Sequence, residues 1–253
     1  MLKKLFIAWQ DPGSRAWFAI AQLTHSGESY QFRYLQGVKE ARKKSGFQGL
    51  YSFPNLEKIY ESTELFPFFS NRILRRSRPD YPDYMNWLNL PESEYDPMAM
   101  LSRSGGTKVT DHFALFPYPE LDDRGRYHLY FFTHGLRYLP TTSADRILTL
   151  QVGDRLFLMH DFQNEFDRLA LMLRTEDAHL VGYCPRYLRE DIFDVFQQNP
   201  HAVTITVERV NPPPAFLPMR LLCHLTVGWE GFQPFSSPMY QLLPEAVAVL
   251  ESS

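Results

Sequence analysis

Proline constrains this chain more than any other residue: 19 prolines outnumber 13 glycines and are scattered along all 253 residues. Each proline fixes φ and removes a backbone donor, which excludes it from helix interiors and central strands. Many short elements joined by rigid turns are therefore expected, not long helices. No apolar run approaches the ~18 residues that would cross a bilayer. The length suits one large domain or two small ones. The 44% apolar and 15% aromatic content is ample for a buried core.

The opening stretch, Met1 to Trp9, carries two lysines and a short apolar run that Asp11-Pro12-Gly13-Ser14-Arg15 cuts off. It is too short for a signal-peptide core and reads as a first strand. Trp17 to Leu23 and Tyr30 to Leu35 read as a hairpin turning at Ser26-Gly27-Glu28. A helix is expected from about Phe68, carrying Arg72, Arg75, Arg76 and Arg78 on its outer side, as a solvated face or a docking patch. A second helix is expected over Tyr81 to Leu90, with Pro82 in its first turn. His112 to Pro117 closes this half.

Two prolines, an acidic pair and a glycine between Pro117 and Arg126 mark a turn or linker. The predicted domains are residues 1–119 and 127–253, joined by 120–126. Beyond the linker the chain reads as mostly β. Strand candidates are Tyr127 to Phe132, Arg155 to His160, Leu169 to Arg174, Val203 to Val210 and Met219 to Val227. Tyr187 to Asn199 is an amphipathic helix with Leu188, Ile192, Val195 and Phe196 on one face. This pattern predicts a small, partly open barrel.

Residues 1–120 hold 15 Lys+Arg against 13 Asp+Glu, a balance of +2. Residues 121–253 hold 11 against 16, a balance of −5, and all 11 are arginines. So acidic a half is poorly suited to non-specific duplex binding, which relies on many phosphate contacts. Any nucleic acid it held would sit in a small, local pocket. The two cysteines, Cys184 and Cys223, stand among apolar neighbours. They could form one disulfide, but buried free thiols in a reducing cytoplasm fit better.

The segment Asp161-Phe162-Gln163-Asn164-Glu165-Phe166-Asp167-Arg168-Leu169-Ala170-Leu171 is followed by Leu180-Val181-Gly182-Tyr183-Cys184-Pro185-Arg186-Tyr187-Leu188. Together they resemble the HIRAN signature. Thr133-His134-Gly135-Leu136-Arg137-Tyr138, Gly153 to Leu158 and Pro218 to Trp229 resemble its flanking blocks, in order. The resemblance implies an OB-like β-barrel, with one or two helices, that captures the 3′ end of single-stranded DNA. It also implies roles. Tyr138 and Phe166 would sandwich a terminal base, and Arg137 would contact phosphate. Asp167 would lie at the 3′-hydroxyl, and Arg186 would support the backbone. Asn164 would shape the loop and bond to the nucleotide. A carboxylate there would accept from a terminal hydroxyl yet repel an internal phosphate. Phe162 stands where the family has proline, and Phe166 where its helicase members have tyrosine. The competing reading makes Asn164 and Asp167 a tight turn and the two aromatics core residues.

The first half resembles the N-terminal subdomain of HipA-type toxin kinases. The likeness runs through Ala8-Trp9, Gln31 to Leu35, Leu50 to Pro54, Leu65 to Leu74 and Ala114 to Pro117. It implies a regulatory or partner-docking module. Ser104-Gly105-Gly106-Thr107-Lys108 lacks phosphate-loop spacing, and His160-Asp161 has no downstream kinase residues. The histidines are scattered, without zinc spacing. The expectation is an α+β, mainly β, cytoplasmic protein of prokaryotic type: a HipA-N-like domain, then a HIRAN barrel. It would be no enzyme, with no catalytic residue, metal, cofactor or membrane contact, and its ligand a single-stranded DNA 3′ end. The alternative is a regulatory or antitoxin-like partner of a HipA-like kinase, or another protein, in a toxin–antitoxin or phage-defence system.

Overall fold

The computed structural model describes residues 3–93, 95–228 and 230–244. Met1 and Leu2 of the expected first strand, Trp229 of the last expected block and residues 245–253 of the expected second domain lie outside them. The chain folds into two units, each assembled from separated segments. One comprises Met1–Arg75, Tyr95–Tyr118 and the segment beginning at Phe235; the other comprises Arg76–Glu94 and Pro119–Pro234. The crossing nearest the expected linker at residues 120–126 falls just before it, between Tyr118 and Pro119.

The first unit is built on strands β1 (Lys3–Gln10), β2 (Trp17–His25) and β3 (Tyr30–Tyr34), then helix α1 (Gly37–Ser45), strand β4 (Tyr60–Ser62) and helix α2 (Pro67–Ser70). Helix α3 (Tyr81–Trp87) falls in the other unit, and α4 (Pro97–Ser104) and β5 (Phe113–Pro117) complete the first. Its sheet is antiparallel, in the order β4-β3-β2-β1-β5. Alternation on β3 buries Tyr30, Phe32 and Tyr34. Phe32 stacks on Phe53 at 3.8 Å, and the Tyr34 hydroxyl donates to the Phe53 carbonyl and accepts from the Leu50 N–H, both at 2.8 Å. Burial pushes that hydroxyl's pKa up to about 12. The C-terminal segment joins this unit: Leu35 bridges Leu242, Gln36 N–H donates to the Gln241 carbonyl, and Leu243 is buried in the core.

The arginine-bearing helix is shorter than expected. Helix α2 ends at Ser70, so helical periodicity no longer places the following residues. Arg72, expected outside, is 9% exposed. It donates to the carbonyls of Gly106 (2.8 Å) and Phe68 (3.2 Å), pairs with Asp111 and lies 4.3 Å over the Phe68 ring. Four acceptors and an aromatic face make burial of this cation affordable. Arg75, Arg76 and Arg78 are exposed, and Arg78 pairs with Asp80. The Ser104 to Lys108 run is the C-terminal end of α4, capped by Gly105, which is the wrong pole for an anion.

The second unit continues with strands β6 (Glu120–Leu121) and β7 (Tyr127–Phe132), helix α5 (Thr141–Leu148), and strands β8 (Arg155–His160), β9 (Leu171–Arg174) and β10 (Leu180–Tyr183). Helix α6 (Arg189–Gln198), β11 (Val203–Val210) and β12 (Leu221–Val227) follow. The sheet order is β10-β9-β8-β11-β12-β7-β6. The expected linker is thus an edge strand and turn of this sheet: Glu120 pairs with His128, and Asp122 accepts from the N–H groups of Arg124 and Arg126. Of the expected barrel the described residues show a seven-strand sheet and not a closed ring; His134, just beyond β7, bridges Tyr183 at the end of β10.

Helix α6 buries Ile192 and Val195, with Leu188 just before it, while Phe196 is half-buried. Helix α3 gives Leu88 to a cluster with Phe132 and Leu222. It stops short of the expected Leu90 because Asn89 takes a left-handed φ of 54°, and its amide bonds to Glu208 and Arg209. Cys184 and Cys223 are free and buried, and burial raises both thiol pKa values.

Candidate functional site

The hairpin between β8 and β9 carries a ten-residue loop built around Asn164. Its Oδ1 accepts the N–H groups of Phe166 (3.0 Å) and Asp167 (2.9 Å), and its Nδ2 donates to Asp161 Oδ2 at 2.9 Å. Asp161 Oδ2 also accepts from the Tyr183 hydroxyl at 3.0 Å, tying the loop to β10. The turn anticipated for Asn164 is therefore present, as an Asx turn. Its effect is to aim Phe166 outward, 66% exposed.

Asp167 points the other way, its side chain 11% exposed. Oδ2 meets Arg186 Nε at 3.1 Å, while Oδ1 takes the Leu169 N–H at 3.1 Å and Arg189 Nη1. Burial opposes ionisation, but the Arg189 bond and the charges of Arg189 and Arg186 outweigh it and hold the carboxyl below its ordinary range. Pro185 opens the single turn Arg186–Leu188 that delivers Arg186, and Arg189 begins α6 three residues later. Sequence reading missed Arg189; its spacing of three from Arg186, on one helical face, was the available signal.

Arg137 and Tyr138 occupy the turn Leu136–Tyr138, which packs against β10 and the turn Leu217–Met219. The Arg137 guanidinium lies 4.6 Å over the Tyr138 ring and donates to its hydroxyl, and Tyr138 is 70% exposed. The core reading of Tyr138 and Phe166 is thereby excluded. Two glycines bring this turn to β10. Gly182 has φ +123°, and a Cβ there would meet Thr133 Cβ at 2.7 Å; a Cβ on Gly135 would meet the Tyr183 ring at 2.8 Å. The His134–Tyr183 bridge forms in that close approach, its two N–H···O bonds each 2.9 Å.

The structure thus brings Asn164, Phe166, Asp167 and Arg186 into one loop cluster. It joins Arg137 to Tyr138 in a neighbouring turn linked to the cluster through Tyr183. Two further exposed aromatics accompany them: Phe162 on the loop (83%) and Phe216 beside the Leu217–Met219 turn (61%). Among the described residues no group of three His, Cys, Asp or Glu is arranged for a metal, and no helix is long and apolar enough to cross a membrane.

The HIRAN domain family model matches residues 127–229. Residues 127–229 are a HIRAN domain. The match begins at β7 and takes in every site residue described above. Two solved structures are similar to the chain: a protein from Lactobacillus plantarum (20% identity, 41% of this chain and 97% of that one, TM-score 0.31) and the HIRAN domain of human HLTF (18% identity, 40% and 74%, TM-score 0.31). A search of curated proteins finds no match. No finding ties residues 1–119 to the HipA N-terminal subdomain.

Proposed function

We propose that this protein is a non-enzymatic, cytoplasmic DNA-end binding protein whose HIRAN domain captures a single-stranded 3′ terminus. The observation that carries this reading is two outward aromatics held by ordered turns: Phe166, in the loop whose Asp167 joins Arg186 and Arg189, and Tyr138, under the Arg137 guanidinium in a turn tied to that loop through Tyr183. An exposed aromatic face offers a stacked base about 1–3 kcal/mol without reading sequence. Arg186 and Arg189 supply the positive charge of the cluster, suited to contacts with one or two phosphates, although Asp161 and Glu190 lie beside them and keep it from being cationic overall. Arg189 Nε is buried with no acceptor among the described residues. Asp167 accepts three hydrogen bonds, and a carboxylate has about four lone-pair sites, which leaves one for a terminal hydroxyl.

Fluorescence anisotropy with a labelled oligonucleotide, at two salt concentrations, tests this. A free 3′-hydroxyl should bind, and a 3′-phosphate should bind at least tenfold more weakly. Equal affinity for the two ends would remove the end-capture role from Asp167. For the first unit, the resemblance of residues 1–119 to the HipA N-terminal subdomain supports a protein-partner role. Co-purification with a HipA-like kinase is its test.

A further inference from the structure

The loop that presents Phe166 presents a second ring. Phe162 is 83% exposed, yet it is backed on one side: its ring lies 4.0 Å from that of His160, tilted by 49°. His160 is itself fixed. Its Nε2 donates to the Arg168 carbonyl at 2.6 Å, and its ring meets the edge of Phe193 on α6 at 4.8 Å and 75°. The outer face of Phe162 is left to solvent. Arg168, whose carbonyl anchors the support, carries an exposed side chain that makes no hydrogen bond or ion pair among the described residues.

We infer that Phe162, seated on His160, is a stacking platform for a further nucleobase of the bound strand, with Arg168 positioned for its phosphate; this rests on the end-capture reading above. A single exposed aromatic would need no explanation, but Phe162 shares one loop with the exposed Phe166, and its ring is backed by a fixed imidazole. The supporting imidazole holds the ring before any base arrives, which lowers the ordering cost of binding. Stacking without hydrogen-bond readout makes this subsite tolerant of base identity. The ligand is therefore a strand of several nucleotides, of which the Tyr138 and Phe166 pair takes only the terminal one.

Thymidine oligonucleotides of two and of six residues, both with free 3′-hydroxyls, separate the two subsites by anisotropy. The intact protein should prefer the hexamer by about tenfold or more. Phe162→Ala should abolish that preference while leaving the dinucleotide affinity unchanged, and Phe162→Trp should restore it. Unchanged hexamer affinity in Phe162→Ala would overturn the inference, as would equal losses on both lengths, which would trace to loop damage. Absence of binding by the intact protein to either length would instead overturn end capture itself, and the platform with it.

Discussion

Because Tyr138 and Phe166 are exposed, removing their rings should touch binding and not folding. Tyr138→Ala combined with Phe166→Ala should weaken 3′-end binding by about 2–4 kcal/mol, roughly 30-fold to a thousandfold, if each ring supplies a base face. An unchanged melting curve alongside unchanged affinity would eliminate the sandwich. Asp167 is the opposite case, since its charge belongs to the fold of the loop. Its pKa is depressed in the folded state, so the stabilisation is complete above its ordinary value of 3.8 and is lost as pH falls through the lowered one. The melting difference between the intact protein and Asp167→Asn should therefore be wide at pH 7 and shrink well below 3.8. A gap that stays constant would show that shape, not charge, is what Asp167 contributes. Cys184 and Cys223 should resist alkylation at neutral pH until the protein is denatured, because burial keeps both as thiols.

Among the elements, the meeting of the Leu136–Tyr138 turn with β10 depends on the absence of a side chain at one position. Gly182→Ala should separate His134 from Tyr183 and destabilise the second unit by at least about 1–3 kcal/mol, measured by denaturant unfolding, with DNA affinity falling in parallel. Loss of affinity without loss of stability would locate the strain elsewhere. This motif was legible in the sequence because its chemistry is local: Asn164 reaches only to Phe166 and Asp167, and Gly182 and Pro185 mark fixed backbone geometry. The longer strands, β1 to β3, β5, β7 to β9, β11 and β12, were legible for the same reason, through their own apolar and β-branched residues, whereas the short β4, β6 and β10 were not. What escaped was set by distant partners. Arg72 is buried because Gly106 and Asp111, more than 30 residues away, supply its acceptors. Glu120 and Leu121 are a strand only because β7 lies beside them. Helix α1 was missed because Lys39, Glu40, Arg42, Lys43 and Lys44 obscure a narrow buried stripe of Val38 and Ala41.

For the whole molecule, the crossed assignment of segments matters most. A fragment of residues 119–234 retains the entire family match but lacks α3, so Phe132 and Leu222 lose Leu88, and Asn211 loses the Trp87 carbonyl it holds at 2.9 Å. Fully burying a leucine contributes about 1.5–3 kcal/mol, so the fragment should melt lower than the same unit in the full chain and bind more hydrophobic dye. Equal melting would make α3 dispensable. The C-terminal strap has a different consequence. Leu35 and Gln36 wait for Gln241 and Leu242, so the opening sheet cannot be finished on the ribosome when its own strands emerge. It must idle while more than 120 residues beyond Pro117 are translated, whereas the unit encoded between can be complete first. In this chain the order of synthesis and the order of completion run in opposite directions, and a stall before residue 241 would release a protein whose later half is finished and whose earlier half is not.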